Sequence, residues 1–329
     1  MTATVAAPTH RIRVDHPSAA YAAARVAREA AHDAGLPDVL AERAAVVAAE
    51  LAGNIDKHTR GGSVFVQRSL TGRGIDVLAA DDGPGMADLD HWLVDGNTTT
   101  ATLGTGLGAV RRMATGFRIT SSPTAGTLAA ARVLDPAGPA FSGSAGHFRL
   151  PREGEEFCGD AIALAEVTGS RTACVADGLG HGPDAAEAAD AAMRVFTENP
   201  DRPLPHQLTN MHRALRTTRG AAVALVRVAP HRLEFCGVGN VGGATVGGSS
   251  RVLLSTPGIV GFSLPAAPVR QLALAGDEAV VLHTDGVGSG WRGPGRPADV
   301  LLFAADVAHR YRNPRDDAAL LALYPERPA

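Results

Sequence analysis

Two groups of short acidic and glycine-rich motifs, one in each half of the chain, constrain its fold more than any other feature. The first group lies within residues 50–108 and the second within residues 158–317. The stretch 135–140 between them is rich in proline and glycine, a composition typical of a linker. A chain of 329 residues is long enough for two domains that each bury a core. The predicted organisation is an α/β (α+β) first domain at residues 1–136, a linker at 137–146 and a second domain at 147–329.

Composition and charge exclude several classes of protein. Hydrophobic residues make up 45% of the chain and charged residues 20%, as in a globular protein. A formal net charge of −3 gives no reason to expect nucleic acid or an anionic membrane surface as a partner. Apolar stretches such as Leu272–Ala275 are too short to span a bilayer, and residues 1–16 lack the pattern of a secretory signal. Three cysteines without metal-site spacing favour buried thiols in a reducing cytosol, so we expect a cytoplasmic protein.

The first group of motifs is predicted to lie on a helix, a strand end and a glycine-rich loop. A helix over about residues 38–55 carries Glu50 and Asn54 at positions i and i+4, on one helical face. Asp81 follows a β-rich run that ends at residue 80. The glycines are Gly83 and Gly85 after this aspartate, and Gly104, Gly106 and Gly108 at the start of a second predicted helix.

These residue types suit a nucleotide, although the chain contains no P-loop sequence. Asp81 can accept a hydrogen bond from an exocyclic amine such as that of adenine. Glycines allow the backbone to turn sharply and approach a flat ring, and backbone amides at a helix start can face phosphates. Asn54 offers a neutral oxygen to Mg²⁺, and Glu50 can accept a proton from an incoming hydroxyl group.

Because of these motifs, the segment of about residues 10–134 resembles the GHKL superfamily of ATPases and kinases. Glu50 and Asn54 match its N box, Asp81-x-Gly83-x-Gly85 its G1 box and Gly104-x-Gly106-x-Gly108 its G2 box. The compact size and the phrase Gly106-Leu-Gly-Ala-Val-Arg-Arg-Met113 resemble the anti-sigma serine kinases, especially the RsbT type. The resemblance implies a Bergerat-type α/β sandwich that binds ATP, with Asp81 on the adenine, Asn54 on Mg²⁺ and Glu50 as the base.

The second group consists of aspartates at or near the ends of apolar strands. Asp160, Asp177, Asp285 and Asp316 occupy such positions, and a glycine follows two of them (Gly178 and Gly286). Mg²⁺ and Mn²⁺ prefer hard oxygen ligands, and a pair of metals needs several carboxylates from different strands. Metals held in this way acidify a water molecule that can attack a phosphate ester. Single Asp-Gly pairs are more often turns, but four aspartates in this order favour a metal site.

This half, residues of about 141–329, resembles the metal-dependent protein phosphatases (PPM family) in their SpoIIE-like branch, with features of the RsbX type. The matching sequences are Cys-Gly-Asp160, Asp177-Gly-Leu-Gly-His-Gly182, Gly239-Asn240, Thr-Asp285-Gly and Arg-Asp316-Asp317. The resemblance implies an antiparallel β-sandwich flanked by helices that binds two Mn²⁺ or Mg²⁺ ions. Asp177 would bridge the metals, Gly178 would ligate through its carbonyl group, and Asp160, Asp285 and Asp316 would complete the set. Asp316 is preferred over Asp317 only by its place in the pattern, and either Arg149 or Arg152 could bind the phosphate.

Together the two resemblances imply a bifunctional regulator of partner-switching signalling that controls a sigma factor. It would use ATP to phosphorylate a serine or threonine of a STAS-domain antagonist, scaffold or anti-anti-sigma protein, and would hydrolyse that phosphoester or a related one. One alternative is a phosphatase whose GHKL half only binds ATP or a partner; the retention of Glu50, a base that pure binding does not need, argues against it. The other is a non-catalytic scaffold, and the retention of the metal-ligating aspartates argues against that.

Overall fold

In the computed structural model the described residues are 2–86, 89, 106–138, 145–167, 169–247, 250–292 and 299–325. They form six α-helices, α1 (Ser18–Asp33), α2 (Asp38–His58), α3 (Gly106–Met113), α4 (Pro183–Glu198), α5 (Leu204–Ala214) and α6 (Val300–Arg310). The strands of the first half are β1 (Thr2–Val5), β2 (His10–Val14), β3 (Gly62–Arg68), β4 (Gly74–Asp81), β5 (Gly116–Ser122) and β6 (Gly126–Leu134). The second half contains β7 (Ala145–Leu150), β8 (Asp160–Val167), β9 (Ser170–Gly178), β10 (Ala221–Ala229), β11 (Arg232–Val238), β12 (Gly242–Val246), β13 (Val252–Leu254), β14 (Arg270–Ala273), β15 (Ala279–His283) and β16 (Ala318–Leu323).

The chain forms two compact units, each of which includes a segment from the other half of the sequence. The N-terminal unit comprises Thr9–Ala140 together with Pro297–Arg310. The C-terminal unit comprises Met1–Pro8, Phe141–Arg296 and Tyr311–Ala329. The N-terminal unit therefore includes α6, and the C-terminal unit includes β1.

The N-terminal unit is built on one antiparallel sheet with strand order β2-β3-β4-β6-β5. Helices α1 and α2 pack on one face, because alanines recur at helical spacing along α1, and alanines and leucines do so along α2. Every second residue of these strands faces the helices and is buried against them, for example Val64, Val66 and Val77. The intervening residues, which include Phe65 and Leu78, point to the opposite face and are fully buried as well.

Helix α6 packs on the N-terminal sheet although its sequence lies in the second half of the chain. It contacts β3, β4, β5 and β6, and all residues from Val300 to Ala308 are buried. An 11-residue helix with so few exposed positions needs apolar surface around most of its circumference.

The C-terminal unit contains a six-stranded sheet, β1-β8-β9-β10-β11-β14, and a five-stranded sheet, β13-β12-β15-β16-β7. All named strand pairs in both sheets are antiparallel. The sheets pack against each other where β7 and β16 meet β8 and β9, and α4 lies on the outer side of β8, β9 and β10. Strand β1 forms the edge of the larger sheet and pairs with β8.

The fold class predicted from the sequence is confirmed: an α/β sandwich in the first half and an antiparallel β-sandwich with flanking helices in the second. The units differ from the domain ranges 1–136 and 147–329 at residues 1–8 and 297–310, because these segments pair or pack with the other half. Most of the predicted linker at 137–146 lies outside the described residues. None of the helices in the described ranges is long and apolar enough to cross a membrane.

Candidate nucleotide and metal sites

The N-box residues lie on α2, and both are partly buried. The side-chain nitrogen Nδ2 of Asn54 is buried and has no hydrogen-bond partner among the described residues. A buried polar atom without a partner is costly unless a ligand or water satisfies it. Because an amide can exchange its oxygen and nitrogen by rotation, this position also fits a metal-ligating oxygen.

Asp81 ends strand β4 and has a buried carboxylate. Its Oδ1 accepts hydrogen bonds from the backbone amides of Gly83 at 2.8 Å and Thr127 at 3.3 Å. Burial raises the pKa of Asp81, and the two amide hydrogen bonds partly offset this increase. Because both amides donate to Oδ1, they fix the orientation of the carboxylate, and the predicted role of Asp81 towards an adenine amine stays a prediction.

The G1 turn after Asp81 requires glycine for steric reasons. A Cβ atom at Gly85, where φ is +67°, would lie 2.5 Å from the carbonyl oxygen of Ser122. A Cβ atom at Gly83 would lie 2.6 Å from a methyl carbon of Thr59, the residue that follows α2. The G1 turn therefore lies directly against the C-terminal end of the helix that carries Glu50 and Asn54.

The G2 box is described only in part. Gly104 lies outside the described residues, whereas Gly106 and Gly108 form the first turn of α3. This helix packs against α2 through Leu107 and Val110. The described members of all three boxes thus lie on elements that contact one another within the N-terminal unit.

Two residues near this site were not found by sequence reasoning. His309 Nε2 lies 3.0 Å from Oδ2 of Asp82, and Arg310 Nε donates to Oδ1 of Asp82 at 3.1 Å. Although burial acts to raise it, the charges of His309 and Arg310 lower the pKa of Asp82. Asp82 is thus an ion-paired residue as well as the exposed turn residue that its sequence context indicates. No local sequence signal connects it to residues so distant in the chain.

The aspartates of the C-terminal unit come together at one end of the sandwich. Asp160 begins β8 and stands opposite Asp177, near the end of β9. Asp285 follows β15, and Asp316 precedes β16. Thr284 Oγ1 donates to Asp160 at 2.7 Å, and Asn240 Nδ2 donates to Asp285 at 2.6 Å.

Burial and crowding raise the pKa of three of these carboxylates. Burial and the nearby Asp177 charge raise the pKa of Asp160 well above its ordinary value. Burial, followed by the charges of Asp285 and Asp316, raises the pKa of Asp177 to about 8. Burial and Asp285 also raise the pKa of Asp316. A group of carboxylates that repel one another is a donor set suited to divalent cations, which relieve the repulsion.

The donor atoms are close to one another without forming a finished coordination sphere. Across the described ranges, no group of three or more His, Cys, Asp or Glu side chains is positioned to hold one metal ion. Repulsion between charges links Asp160 with Asp177 and Asp285, Asp177 with Asp285 and Asp316, and Asp316 with Asp285. The roles predicted for these residues and for the Gly178 carbonyl group stay predictions.

The glycines after two of the aspartates are required by close backbone packing. A Cβ atom at Gly178 would lie 2.0 Å from the carbonyl oxygen of Ala185, in the first part of α4. A Cβ atom at Gly286 would lie 1.8 Å from the carbonyl oxygen of Asp317. Gly286 therefore holds the turn after Asp285 against the segment that carries the last two aspartates.

The adjacent aspartates 316 and 317 have different environments. The buried carboxylate of Asp317 accepts the backbone amide of Arg152 at 2.8 Å and that of Gly159 at 2.9 Å. Each oxygen of Asp317 is thus used to hold the loop that leads to Asp160. This difference supports the choice of Asp316 as the ligand.

Of the two arginines suggested for phosphate binding, Arg149 is committed to the backbone. Its guanidinium group is buried and donates to the carbonyl oxygens of Asp160 at 2.5 Å, Cys158 at 3.2 Å and Ala6 at 3.3 Å. The last contact joins β7 to the segment after β1. The cysteines 158, 174 and 236 are all buried and free, as expected. Burial raises the pKa of each thiol, so none is a reactive thiolate.

Comparison with known proteins agrees with this geometry. Residues 15–132 match the family described as histidine kinase-like ATPase domain. The serine/threonine-protein kinase RsbT of Bacillus subtilis strain 168 is 31% identical over 108 residues, which cover 32% of this chain and 81% of RsbT. The phosphoserine phosphatase RsbX of the same strain is 30% identical over 97 residues, which cover 29% of this chain and 48% of RsbX. The chain thus matches about half the length of that second relative.

Solved structures define the fold of the second half. The PP2C phosphatase domain of SpoIIE from Bacillus subtilis, with a fragment of its regulatory domain, aligns with a TM-score of 0.50 at 12% identity. That alignment covers 78% of this chain and 80% of the SpoIIE chain. RsbX in complex with magnesium aligns with a TM-score of 0.50 at 21% identity, covering 54% of this chain and 93% of RsbX. The chain therefore belongs, through its first half, to the histidine kinase-like ATPase family, and joins to it a second half with the PP2C-type phosphatase fold.

Proposed function

We propose that this chain is a bifunctional regulator of partner-switching signalling, with a protein serine/threonine kinase site in the first half and a metal-dependent phosphoprotein phosphatase site in the second. The observation that carries the proposal is the presence in one chain of two distinct donor sets. One combines Glu50 and Asn54 with the oriented carboxylate of Asp81. The other gathers four aspartates, and burial and neighbouring carboxylates raise the pKa of three of them, Asp160, Asp177 and Asp316. Similarity to RsbT and RsbX supports the same pairing of activities.

In the kinase half, the residues of the chain have separable tasks. Asp81 would accept the adenine amine through Oδ2, and Asn54 would hold Mg²⁺ beside the phosphates. Glu50 would accept the proton of a serine or threonine hydroxyl group as its oxygen attacks the γ-phosphorus and ADP leaves. Positioning and charge stabilisation account for most of the catalysis expected for phosphoryl transfer.

In the phosphatase half, Asp160, Asp177, Asp285 and Asp316 would hold two Mn²⁺ or Mg²⁺ ions, with the Gly178 carbonyl group as a further ligand. Such ions supply an acidified water molecule and balance the charge of the phosphoryl group. Thr284 and Asn240 would orient Asp160 and Asp285 through the hydrogen bonds described above. The same phosphoester is thus the product of one site and the substrate of the other.

The partner we propose is a STAS-domain protein that carries the phosphorylated serine or threonine. The test uses the full chain, radiolabelled ATP with Mg²⁺ or Mn²⁺, and a STAS-domain protein encoded near it. Wild type is compared with Glu50→Gln and Asp177→Asn, both of which keep the shape of the side chain. Glu42→Gln, an exposed position on the same helix as Glu50, is the matched control.

The proposal expects label to accumulate on the partner in Asp177→Asn, and to turn over in wild type and Glu42→Gln. It expects no label in Glu50→Gln. If Glu50→Gln labels the partner as well as wild type does, the kinase assignment is wrong. If no variant labels the partner but all except Asp177→Asn remove phosphate from it, the first half is a nucleotide-binding regulator of the phosphatase.

A further inference from the structure

Arg310 connects three parts of the nucleotide-site framework, although it lies far along the sequence from them. Its Nη2 atom donates to the carbonyl oxygen of Ala125 at 2.5 Å and to that of Asp81 at 3.4 Å. Its Nε atom donates to the Asp82 carboxylate at 3.1 Å. On its own helix it pairs with the buried carboxylate of Asp306. All these contacts lie within the N-terminal unit.

Arg310 thus contacts the end of β4 and the turn before β6, and a hydrogen bond between these two strands orients the Asp81 carboxylate. Ala125 lies in the turn before β6, Gly126 begins that strand, and Thr127 donates its amide to Asp81 Oδ1. The turn lies so close that a Cβ atom at Gly126 would be 2.0 Å from the carbonyl oxygen of Asp81. Arg310 bridges this turn to the end of β4, so it holds together both partners of that hydrogen bond.

An isolated, exposed ion pair contributes little to stability, and Asp82 is 67% exposed. The contacts to two backbone carbonyl groups are different, because Arg310 is only 22% exposed and its planar group reaches several acceptors at once. Lysine has a single ammonium group and cannot cover the same set.

We propose that Arg310 is a positioning residue of the nucleotide site, and that through it nucleotide binding is coupled to the segment that carries Asp316. This inference rests on the proposed function, since it requires a nucleotide at Asp81. Arg310 touches the framework of the site and acts through Asp81, so it is not itself a catalytic residue.

The coupling follows from what comes next in the chain. Tyr311, the residue after Arg310, begins the last segment of the C-terminal unit. Its carbonyl oxygen accepts the amide of Gly288 at 2.8 Å, and the amide of Asn313 donates to Gly286 at 2.8 Å. Residues 311–316 are therefore bonded to the turn after Asp285 and lead to Asp316. Ordering Arg310 by nucleotide binding restrains this segment from one end, and linkage requires the reverse effect to be equal.

The first experiment measures binding of mant-ADP with Mg²⁺ to the full chain, together with the increase in Tm that the nucleotide causes. The variants are Arg310→Met and Arg310→Lys, with Arg25→Met as the matched control. Arg25 forms an exposed ion pair with Glu29 on α1, which carries none of the predicted site residues. Asp82→Asn weakens the contact from its other side, and provides a test if Arg310→Met fails to fold.

We expect Arg310→Met to weaken mant-ADP binding about tenfold or more, which is within the usual range of coupling between sites. Arg310→Lys should fall between it and wild type, Asp82→Asn should weaken binding in the same direction, and Arg25→Met should bind normally. A purely structural role would lower Tm but leave the nucleotide-induced increase unchanged, and that result, or wild-type affinity in Arg310→Met, overturns the inference. A wild-type chain that does not bind mant-ADP overturns the proposed kinase site instead.

The second experiment measures hydrogen–deuterium exchange in peptides that cover residues 311–317, at one fixed Mg²⁺ concentration. We expect mant-ADP to slow exchange in this segment of wild type and of Arg25→Met, and to have no effect on it in Arg310→Met. If wild type binds the nucleotide and exchange in the segment does not change, the coupling is absent.

Discussion

Substitution of the adjacent aspartates 316 and 317 provides the sharpest test of the phosphatase site. The structure indicates that Asp317 supports the fold, whereas Asp316 is available to bind metal. In Asp317→Ala, the backbone amides of Arg152 and Gly159 lose their acceptors. In Asp316→Ala, the loss is a carboxylate whose pKa is raised by burial and by repulsion from Asp285. The first change removes support from the loop before Asp160, and the second removes a repulsive charge.

The magnitudes follow from burial. A buried amide left without a partner costs about 1–3 kcal/mol. Gly159 is buried, so its amide belongs near the upper value, whereas Arg152 is partly exposed and belongs near the lower one. The sum for Asp317→Ala is therefore about 2–4 kcal/mol, a large part of the roughly 5–15 kcal/mol that stabilises a typical domain. For Asp316→Ala without metal, we expect a loss of about 1 kcal/mol, because only one partly buried amide, that of Asp317, which donates to Asp316 Oδ1 at 3.0 Å, loses its acceptor.

Urea unfolding of the full chain in EDTA measures these differences. Trp291 is fully buried in the C-terminal unit, so its fluorescence reports the unfolding of that unit. The other tryptophan, Trp92, is replaced by phenylalanine in all variants to leave one signal. Binding of Mn²⁺ is then measured by calorimetry, with Asp316→Asn and Asp317→Asn as the variants that preserve side-chain shape.

We expect Asp317→Ala to lower the urea midpoint strongly, and Asp317→Asn to retain Mn²⁺ binding. Asp316→Asn should unfold like wild type in EDTA but lose much of its Mn²⁺ affinity. The reasoning is refuted if Asp316→Ala is the more destabilised protein in EDTA, or if Asp317→Asn abolishes metal binding while Asp316→Asn does not.

Three further outcomes are expected. The pKa of Asp177 is raised from 3.8 to about 8 in the folded protein, so folding favours its neutral form. In EDTA, Tm should therefore fall as the pH rises across this interval. Mn²⁺ binds the charged carboxylates and should reverse this trend. Gly286→Ala should destabilise the protein and abolish metal-dependent hydrolysis of p-nitrophenyl phosphate, whereas Gly276→Ala, where a Cβ atom meets nothing within 4 Å, should not. Asn240→Leu should lower Mn²⁺ affinity measured by calorimetry about 10- to 100-fold, because Asp285 loses its hydrogen bond; unchanged affinity would contradict this.

The site residues that could be predicted from the sequence are those whose positions follow from neighbouring residues in the chain. Asp81 stands where an apolar run ends and Asp160 where one begins, and Glu50 and Asn54 share a helix face because of their spacing. Gly85 and Gly286 can be recognised from their local motifs, but the atoms that require glycine there, the carbonyl oxygens of Ser122 and Asp317, come from distant segments.

The parts that could not be predicted depend on long-range packing. Strand β1 joins the C-terminal sheet through backbone hydrogen bonds to β8, which carry no side-chain code. Helix α6 is recognisable as a helix, but its apolar sequence does not specify which sheet it covers. The role of Arg310 follows only from that placement, as does the ion pair of Asp82.

The exchanged segments mean that neither half of the sequence corresponds to a complete unit. Without β1, strand β8 would become an edge with unpaired backbone groups, and Arg149 would lose its acceptor at Ala6. Without α6, the face of the N-terminal sheet that includes Phe65 and Leu78 would lose the helix that packs on it. A cut at the linker removes both elements from their units, so loss of activity in separated halves would reflect incomplete folds. The two sites are therefore best dissected by single substitutions in the intact chain.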